Sequence, residues 1–235
     1  PLLEDSLAVL SPDGQELKSI SLLKAIERSE YKSILDRPEK PVGKRGDYLH
    51  SNSVDVIGRT LAGKFPFAEE GQVLISLRTL NMLVLLDVDS ETIVWAATGP
   101  WLQQHDPDFL ENGNILLFDN QGHSGPGGAS RVIEFNPVTH KIEWNYTGTA
   151  AAPLQSVIRS AQQRLPNGNT LITESNNGRI IEVTPEGELV WEYRNTQRAG
   201  ENDEFVAILS WGQRFDPDSL NFEFSMPQGR ESTEN

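Results

Sequence analysis

Asn112-Gly-Asn-Ile-Leu-Leu-Phe118 and Asn167-Gly-Asn-Thr-Leu-Ile-Thr173 are two copies of one motif. Each is followed by an apolar run and then a tryptophan: Arg131-Val-Ile-Glu-Phe135 before Trp144, and Arg179-Ile-Ile-Glu-Val183 before Trp191. A looser copy precedes them, with Gly71-Gln-Val-Leu-Ile-Ser76, then Leu83-Val-Leu-Leu-Asp87 and Trp95. A period of about fifty residues built of short strands and turns marks a β-propeller. The Asn-Gly pairs supply the positive-φ residues that tight hairpins require. Ile115 to Phe118 and Leu171 to Thr173 are too short for helices and read as buried strands. A second hairpin turns at 87–92, 136–140 and 184–187, and its outer arm carries the tryptophan. Each repeat is thus roughly four strands, the content of one blade.

The pattern extends outward from these repeats. Leu7 to Leu10, the turn Ser11-Pro-Asp-Gly14 and Glu16 to Ile20 match the outer hairpin of a preceding blade, so residues 1–21 form the first unit. Residues 22–35 have apolar side chains at helical spacing and predict one amphipathic helix ended by Pro38 and Pro41, making 22–45 a helix and linker. Residues 46–220 hold the blades, and Glu204 to Trp211 reads as one further strand. Residues 221–235 form a polar C-terminal tail. The expected fold is all-β: a propeller of four-stranded blades with one short helix near the N-terminus. Three whole blades with flanking halves fall short of the four or more that normally close a propeller. The expectation is therefore an N-terminally truncated part of a larger ring, with compact four-bladed closure as the alternative.

Composition narrows the function classes. A net charge of −14 argues against a nucleic-acid or anionic-membrane surface role. No apolar run approaches the eighteen or so residues of a membrane span. The chain has no cysteine, which excludes disulfides, zinc thiolate sites and cysteine nucleophiles. No cofactor and no metal site is read from the sequence.

The repeat also serves as a ruler. His50, in Tyr-Leu-His50-Ser-Asn-Ser, is separated from His105, in Gln-Gln-His105-Asp-Pro, by the same spacing that separates His105 from Ser160. The first strand of every propeller blade lines the central channel. Equal spacing therefore predicts that His50 and His105 converge at one channel mouth, with Ser160 as their counterpart in the third blade. Titratable groups converging in a concave site are a usual active-site signature. A lone inner-strand histidine is more often a satisfied polar group. Arg131 follows a Gly-rich stretch, Gln121 to Ser130, that is no phosphate-binding loop because no Gly-Lys-Ser/Thr or helix follows. Arg131 and Arg179 occupy corresponding places, and one could face the channel as an anion clamp; Arg78 is a weaker candidate. Trp101 could stack on an aromatic ligand or pack a blade junction. His123 and His140 fall in a loop and a turn.

Gly46-Asp-Tyr-Leu-His50-Ser-Asn-Ser-Val54, Leu74-Ile-Ser-Leu-Arg78, Trp101-Leu-Gln-Gln-His105-Asp-Pro107, Asn112 to Asn120, Ser130 to Phe135 and Arg164 to Ser175 resemble the bacterial arylsulfotransferase family over about residues 46 to 220. The resemblance implies a six-bladed propeller that moves a sulfuryl group from an aryl sulfate to a phenol without the nucleotide sulfate donor. It implies a ping-pong route through a transiently sulfated channel histidine, and a periplasmic or secreted location. Carried over by motif, His50, His105 and Arg131 would be catalytic; Trp101, Ser160, Arg78 and Arg179 are the substrate-binding candidates from the residues themselves, with an ordinary exposed charge the better-fitting alternative for Arg179. The family site uses three histidines, and this chain has Ser160, beside Arg159, where a further one would stand. Imidazole suits both nucleophile and general acid near neutrality, and guanidinium suits a tetrahedral oxyanion. A second reading is a non-catalytic propeller that keeps the anion pocket to bind a ligand or partner. A third, a quinoprotein-type dehydrogenase, is prompted by Asp87, Thr92 and Trp95 but lacks an adjacent cysteine pair or a clear calcium-ligand cluster.

Overall fold

The computed structural model describes residues 3–36, 46–122 and 129–222. The chain opens with a hairpin, β1 (Ser6–Leu10) and β2 (Glu16–Ser21), and a helix, α1 (Leu22–Arg28). Three four-stranded antiparallel sheets follow, each an up-and-down meander. The first holds β3 (Ser51–Val56), β4 (Val73–Leu77), β5 (Met82–Asp87) and β6 (Thr92–Thr98), with a one-turn helix α2 (Arg59–Ala62) between its first two strands. The second holds β7 (His105–Phe109), β8 (Ile115–Asp119), β9 (Arg131–Phe135) and β10 (Ile142–Tyr146). The third holds β11 (Ala161–Arg164), β12 (Thr170–Glu174), β13 (Arg179–Val183) and β14 (Leu189–Arg194). A two-residue pair, β15 (Arg198–Ala199) and β16 (Phe205–Val206), comes last.

Period-two alternation decides how the sheets stack. Val73, Ile75 and Leu77 of β4, with Met82, Val84 and Leu86 of β5, face the hairpin and α1, where Ile20, Leu22 and Ile26 complete a core. The intervening Leu74, Leu83 and Leu85 face the second sheet and meet Ile115, Leu117, Ile133 and Phe135. On that sheet's other face Leu116, Phe118 and Val132 meet Ile172, Ile181 and Val183 of the third. The middle strands of the first two sheets are thus covered on both sides, which is why apolar residues occupy both of their faces. The first strands pack side by side, β3 against β7 and β7 against β11, so they lie innermost.

The repeated motif is a latch. Gly113 and Gly168 adopt φ of 85° and 87°, as their turns require. That turn aims Asn112 and Asn114, whose side-chain amides both donate to Glu134 Oε1 at 2.7 Å. Asn167 and Asn169 donate likewise to Glu182 Oε1, at 3.3 and 2.7 Å. The second oxygen of Glu134 pairs with Arg164 of the next sheet at 2.6 Å. The Arg164 guanidinium lies 5.1 Å from the ring centroid of Trp144, whose indole N–H donates to the carbonyl of Pro185. Asn-Gly-Asn, glutamate and tryptophan therefore join consecutive blades.

Two expectations need amendment. The helix predicted over residues 22–35 stops at Arg28, and a separate 3-10 turn covers Lys32–Asp36. Ser29 breaks it: its hydroxyl donates to the carbonyl of Ile26 and accepts from Tyr31 N–H, occupying the oxygen that residue 30 needs to continue the helix. The strand read from Glu204 to Trp211 is reduced to Phe205–Val206. Pro38, Pro41, the Gly-rich stretch with His123 and most of the C-terminal tail lie outside the described residues.

Leu117 is fully buried between the first two sheets, whereas Leu17 is 67% exposed. Leu117→Ala should lower unfolding free energy by about 2–5 kcal/mol, and Leu17→Ala by under about 0.5 kcal/mol, in urea titrations. Equal effects would contradict the stacked-sheet core.

Candidate active site

Ladder register, not residue counting, sets which inner-strand residues are level. Ser51 lies opposite Leu77, the last residue of β4. His105 and Ala161 lie opposite Phe118 and Thr173, each next to last in its strand. His50, Gln103 and Arg159 therefore correspond, and they share left-handed φ values of 50°, 56° and 55°. His105 corresponds instead to Asn52 and Ala161. The equal spacing that aligned His50 with His105 counted through loops and bulges of unequal length. Register shifts interrupt β3 between Ser51 and Val54 and β7 between His105 and Asp108, while β11 runs without one. Bulges of this kind re-aim side chains beside functional sites. Asp106 and Ser160 are also left-handed, at φ 53° and 79°. Such strain gathers at sites that need it.

His50 is near enough to act electrostatically on His105, but it does not line the cavity on which His105 opens. His105 is 9% exposed. Its Nδ1 lies 2.8 Å from Asn120 Oδ1 and 3.1 Å from the carbonyl of Gln103. The Asn120 amide nitrogen donates to the carbonyls of Ser156 and Arg159, which fixes the amide's orientation. Both partners of Nδ1 are acceptors, so the network assigns the proton to Nδ1 and leaves the lone pair on Nε2. Burial pushes the His105 imidazole down to about 4, the nearby charges of Arg78 and His50 add to that, and the Asn120 and Gln103 bonds oppose it. His105 is therefore neutral at pH 7. His50 Nδ1 donates to Asp47 Oδ2 at 2.5 Å. Arg78 donates from Nη2 to Gln103 Oε1 at 2.7 Å, and burial lowers its guanidinium's pKa while Asp47 opposes the shift.

His105 opens on a cavity of about 290 Å³ with Asn52, Asp106, Arg159, Ser160 and Trp211 on its walls. Ser160 is buried there; its N–H donates to Ser175 Oγ, and its own Oγ accepts from Ser175 N–H. Asp106, which sequence reading passed over, is raised to about 6 by burial, with Asp55 adding to the shift and Gln162 N–H opposing it. Asp108 behind it is raised too, by burial first and then by Asp106 and Asp55. Asn120 and Asp106 were legible only as Asp-Asn after a strand and His-Asp-Pro at the start of one. Among the described residues no group of three or more His, Cys, Asp or Glu could hold a metal ion. Among them, too, no helix is long and apolar enough to cross a membrane.

The other candidates sit elsewhere. Arg131 and Arg179 are equivalent, but their guanidiniums are engaged by buried carboxylates, Nε to Asp119 at 2.8 Å and to Glu174 at 2.6 Å. Arg131 also donates to the carbonyl of Pro100, and Arg179 reaches Glu192 at 3.4 Å. Asp119 in turn accepts from the N–H of Leu102, three residues before His105. Trp101 is 1% exposed, tilted on Phe135 at 4.8 Å, with its indole N–H on the carbonyl of Asn81. It offers no ring face to the cavity. His140 is exposed in its turn.

The sequence matches the arylsulfotransferase (ASST) family over residues 3–196. The chain belongs to that family, and its four-stranded sheets are propeller blades. No curated protein matches it. Among solved structures it is similar to a protein of unknown function from Bacteroides caccae, with a TM-score of 0.46, 15% identity, and coverage of 81% of this chain and 54% of that one. The Dos1 propeller gives a TM-score of 0.48, 12% identity, and coverage of 82% and 43%. Virginiamycin B lyase from Staphylococcus aureus gives a TM-score of 0.41, 18% identity, and coverage of 65% and 43%. The chain spans about half the length of these structures.

Two titrations follow. Imidazole ¹⁵N spectra should show His105 protonated on Nδ1 with a midpoint near 4; a midpoint near the unperturbed value of about 6.5 would contradict the site. For Asp106 the folded state binds the proton more tightly than the unfolded state. Its stability contribution is present at low pH and is lost as pH rises from about 4 to about 6. Asp106→Asn should then stabilise the fold at pH 7 by on the order of 1–3 kcal/mol, with the gain gone near pH 4. Thermal unfolding at the two pH values checks this.

Proposed function

We propose that this chain carries the reacting histidine of an arylsulfotransferase, with His105 Nε2 as the nucleophile toward an aryl sulfate. The observation that carries the reading is a buried, neutral imidazole whose Nδ1 is held by Asn120 on the wall of a cavity. Nε2 attacks sulfur, the N–S bond forms as the sulfur–aryloxygen bond breaks, and the departing aryloxide takes a proton. In the second half the acceptor phenol gives its proton to a base in the cavity and its oxygen attacks sulfur. The N–S bond then breaks and neutral His105 returns. A neutral nucleophile avoids the cost of deprotonating an imidazolium at each turnover.

The supporting groups have separable tasks. His50, oriented by Asp47, and Asp106, with a pKa of about 6, are the candidates for giving and taking the proton. Arg78 is close enough to His105 to lower its pKa, and Arg159 shares the cavity; their charges suit the sulfuryl oxygens. Arg131 acts at one remove: it holds Asp119, which holds the backbone leading to His105. Arg179 repeats that pairing one blade on, and Ser160 contributes a cavity wall. The expected substrates are a small aryl sulfate and a phenol, and family membership makes a periplasmic or secreted setting the working expectation.

The binding-module reading draws on the engagement of Arg131 and Arg179 by carboxylates, which leaves neither as a free anion clamp. Transfer from 4-nitrophenyl sulfate to phenol separates the two. His105→Ala should cut transfer at least about a hundredfold, the scale of losing an acid–base or nucleophilic group. Undiminished transfer would remove His105 from the reaction. Binding of the aryl sulfate with no transfer in the parent protein would establish the module.

A further inference from the structure

Residues 210–215 repeat an inner strand that the meanders do not include. Ser210-Trp-Gly-Gln-Arg214-Phe215 parallels Ser160-Ala-Gln-Gln-Arg164-Leu165. Three contacts repeat with it. Arg214 pairs with Glu182, as Arg164 pairs with Glu134. Its guanidinium lies 5.5 Å from the ring centroid of Trp191, as that of Arg164 lies 5.1 Å from Trp144. Asp55 of the first sheet accepts from Phe109 N–H of the second, and Gln163 of the third both accepts from Arg214 N–H and donates to its carbonyl. The segment stands against the third sheet as β11 stands against the second and β7 against the first.

That register fixes the place of Trp211. It is the fourth member of the series Asn52, His105, Ala161, and all four line the same cavity. Trp211 is 58% exposed, and among the described residues it makes no ring–ring or cation–π contact. Trp101, by contrast, is fully packed. Arg159, at the cavity wall, donates to Ser210 Oγ at 2.8 Å and ties the segment beside the site. A volume of about 290 Å³ lies just under the range of ligand sites, roughly 300 to 1,000 Å³. It suits a single ring bearing one anionic group.

We propose that Trp211 is the aryl-recognition residue of the His105 cavity: the ligand's ring lies on its indole face while the anionic group faces His105 and the arginines. The proposal rests on reading that cavity as the aryl sulfate site, and it adds the residue that separates aryl from alkyl ligands. Sequence position made Trp101 a candidate for stacking or for packing a blade junction; the structure packs it, and the latch between Arg214 and Glu182 brings Trp211 to the cavity instead.

The test uses ligands without a transferable group, so binding is read apart from turnover. Benzenesulfonate and methanesulfonate carry the same anionic group on a ring and on a methyl group, and inorganic sulfate is an anion with no organic group. Calorimetric titration should show benzenesulfonate binding more tightly than methanesulfonate. Trp211→Leu should weaken benzenesulfonate fivefold or more and leave methanesulfonate and sulfate within twofold, and Trp211→Phe should restore most of the preference. Urea midpoints confirm that each variant is folded; if the leucine variant is not, Trp211→Met against the parent gives the same comparison, with the aryl preference lost. An unchanged ratio in Trp211→Leu, an equal loss for all three ligands, or no aryl preference in the parent would overturn the assignment. A Trp211-dependent aryl preference in a protein that transfers nothing would sustain it and overturn the sulfuryl-transfer reading alone.

Discussion

The second blade is bound to the third through one nearly buried carboxylate. Glu134 accepts from two asparagine amides of its own sheet and from Arg164 of the following one. Its side chain is 8% exposed, so its charge is held in place only because every neighbour is a donor. Loss of Arg164 would leave that carboxylate without its countercharge, an outcome far costlier than loss of a surface pair. The Asn-Gly-Asn turn, the glutamate on the third strand, the arginine at the end of the next inner strand and the tryptophan beneath it are one device. Glu182 and Arg214 repeat it with the same partner types.

The latch matters to the site because it sets inner strands side by side, and those strands carry the groups that line the His105 cavity. Apolar alternation alone brings sheets into contact but leaves sliding along the strands weakly resisted. With register held, the bulge in β7 can present His105 and Asp106 to one cavity while Asn120 holds the imidazole from the neighbouring strand. Burial then acts oppositely on the two groups, lowering the imidazole and raising the carboxyl, because it disfavours the charged form of each. A neutral imidazole and a carboxyl that titrates near neutrality arise from one physical cause.

Some of the site was legible before any fold was known. The contexts of His50 and His105, and the resemblance to a sulfuryl-transferring family, pointed to the channel mouth. The pairing of His50 with His105 as equivalents was not recoverable, since a bulge adds a residue without adding a rung to the ladder. Arg131 and Arg179 looked like free cations because the acids that engage them, Asp119 and Glu174, sit on the adjacent strand beyond a turn. Trp101 looked available because burial is a property of three sheets together. Trp211 drew no functional reading because only side-chain contacts with the third sheet bring its segment to the His105 cavity.

The sequence by itself determined the blades. Period-two alternation and Asn-Gly turns are local, so they assign each apolar side chain to one face of a strand without reference to the rest of the chain. It also determined which residue types would close the gap between blades, because glutamate, arginine and tryptophan recur at fixed places. Only the tertiary structure decided which of the histidines, arginines and tryptophans share a cavity. That depends on ladder register, on the countercharges supplied by neighbouring strands and on exclusion from water, and each of these belongs to pairs of segments far apart in the chain.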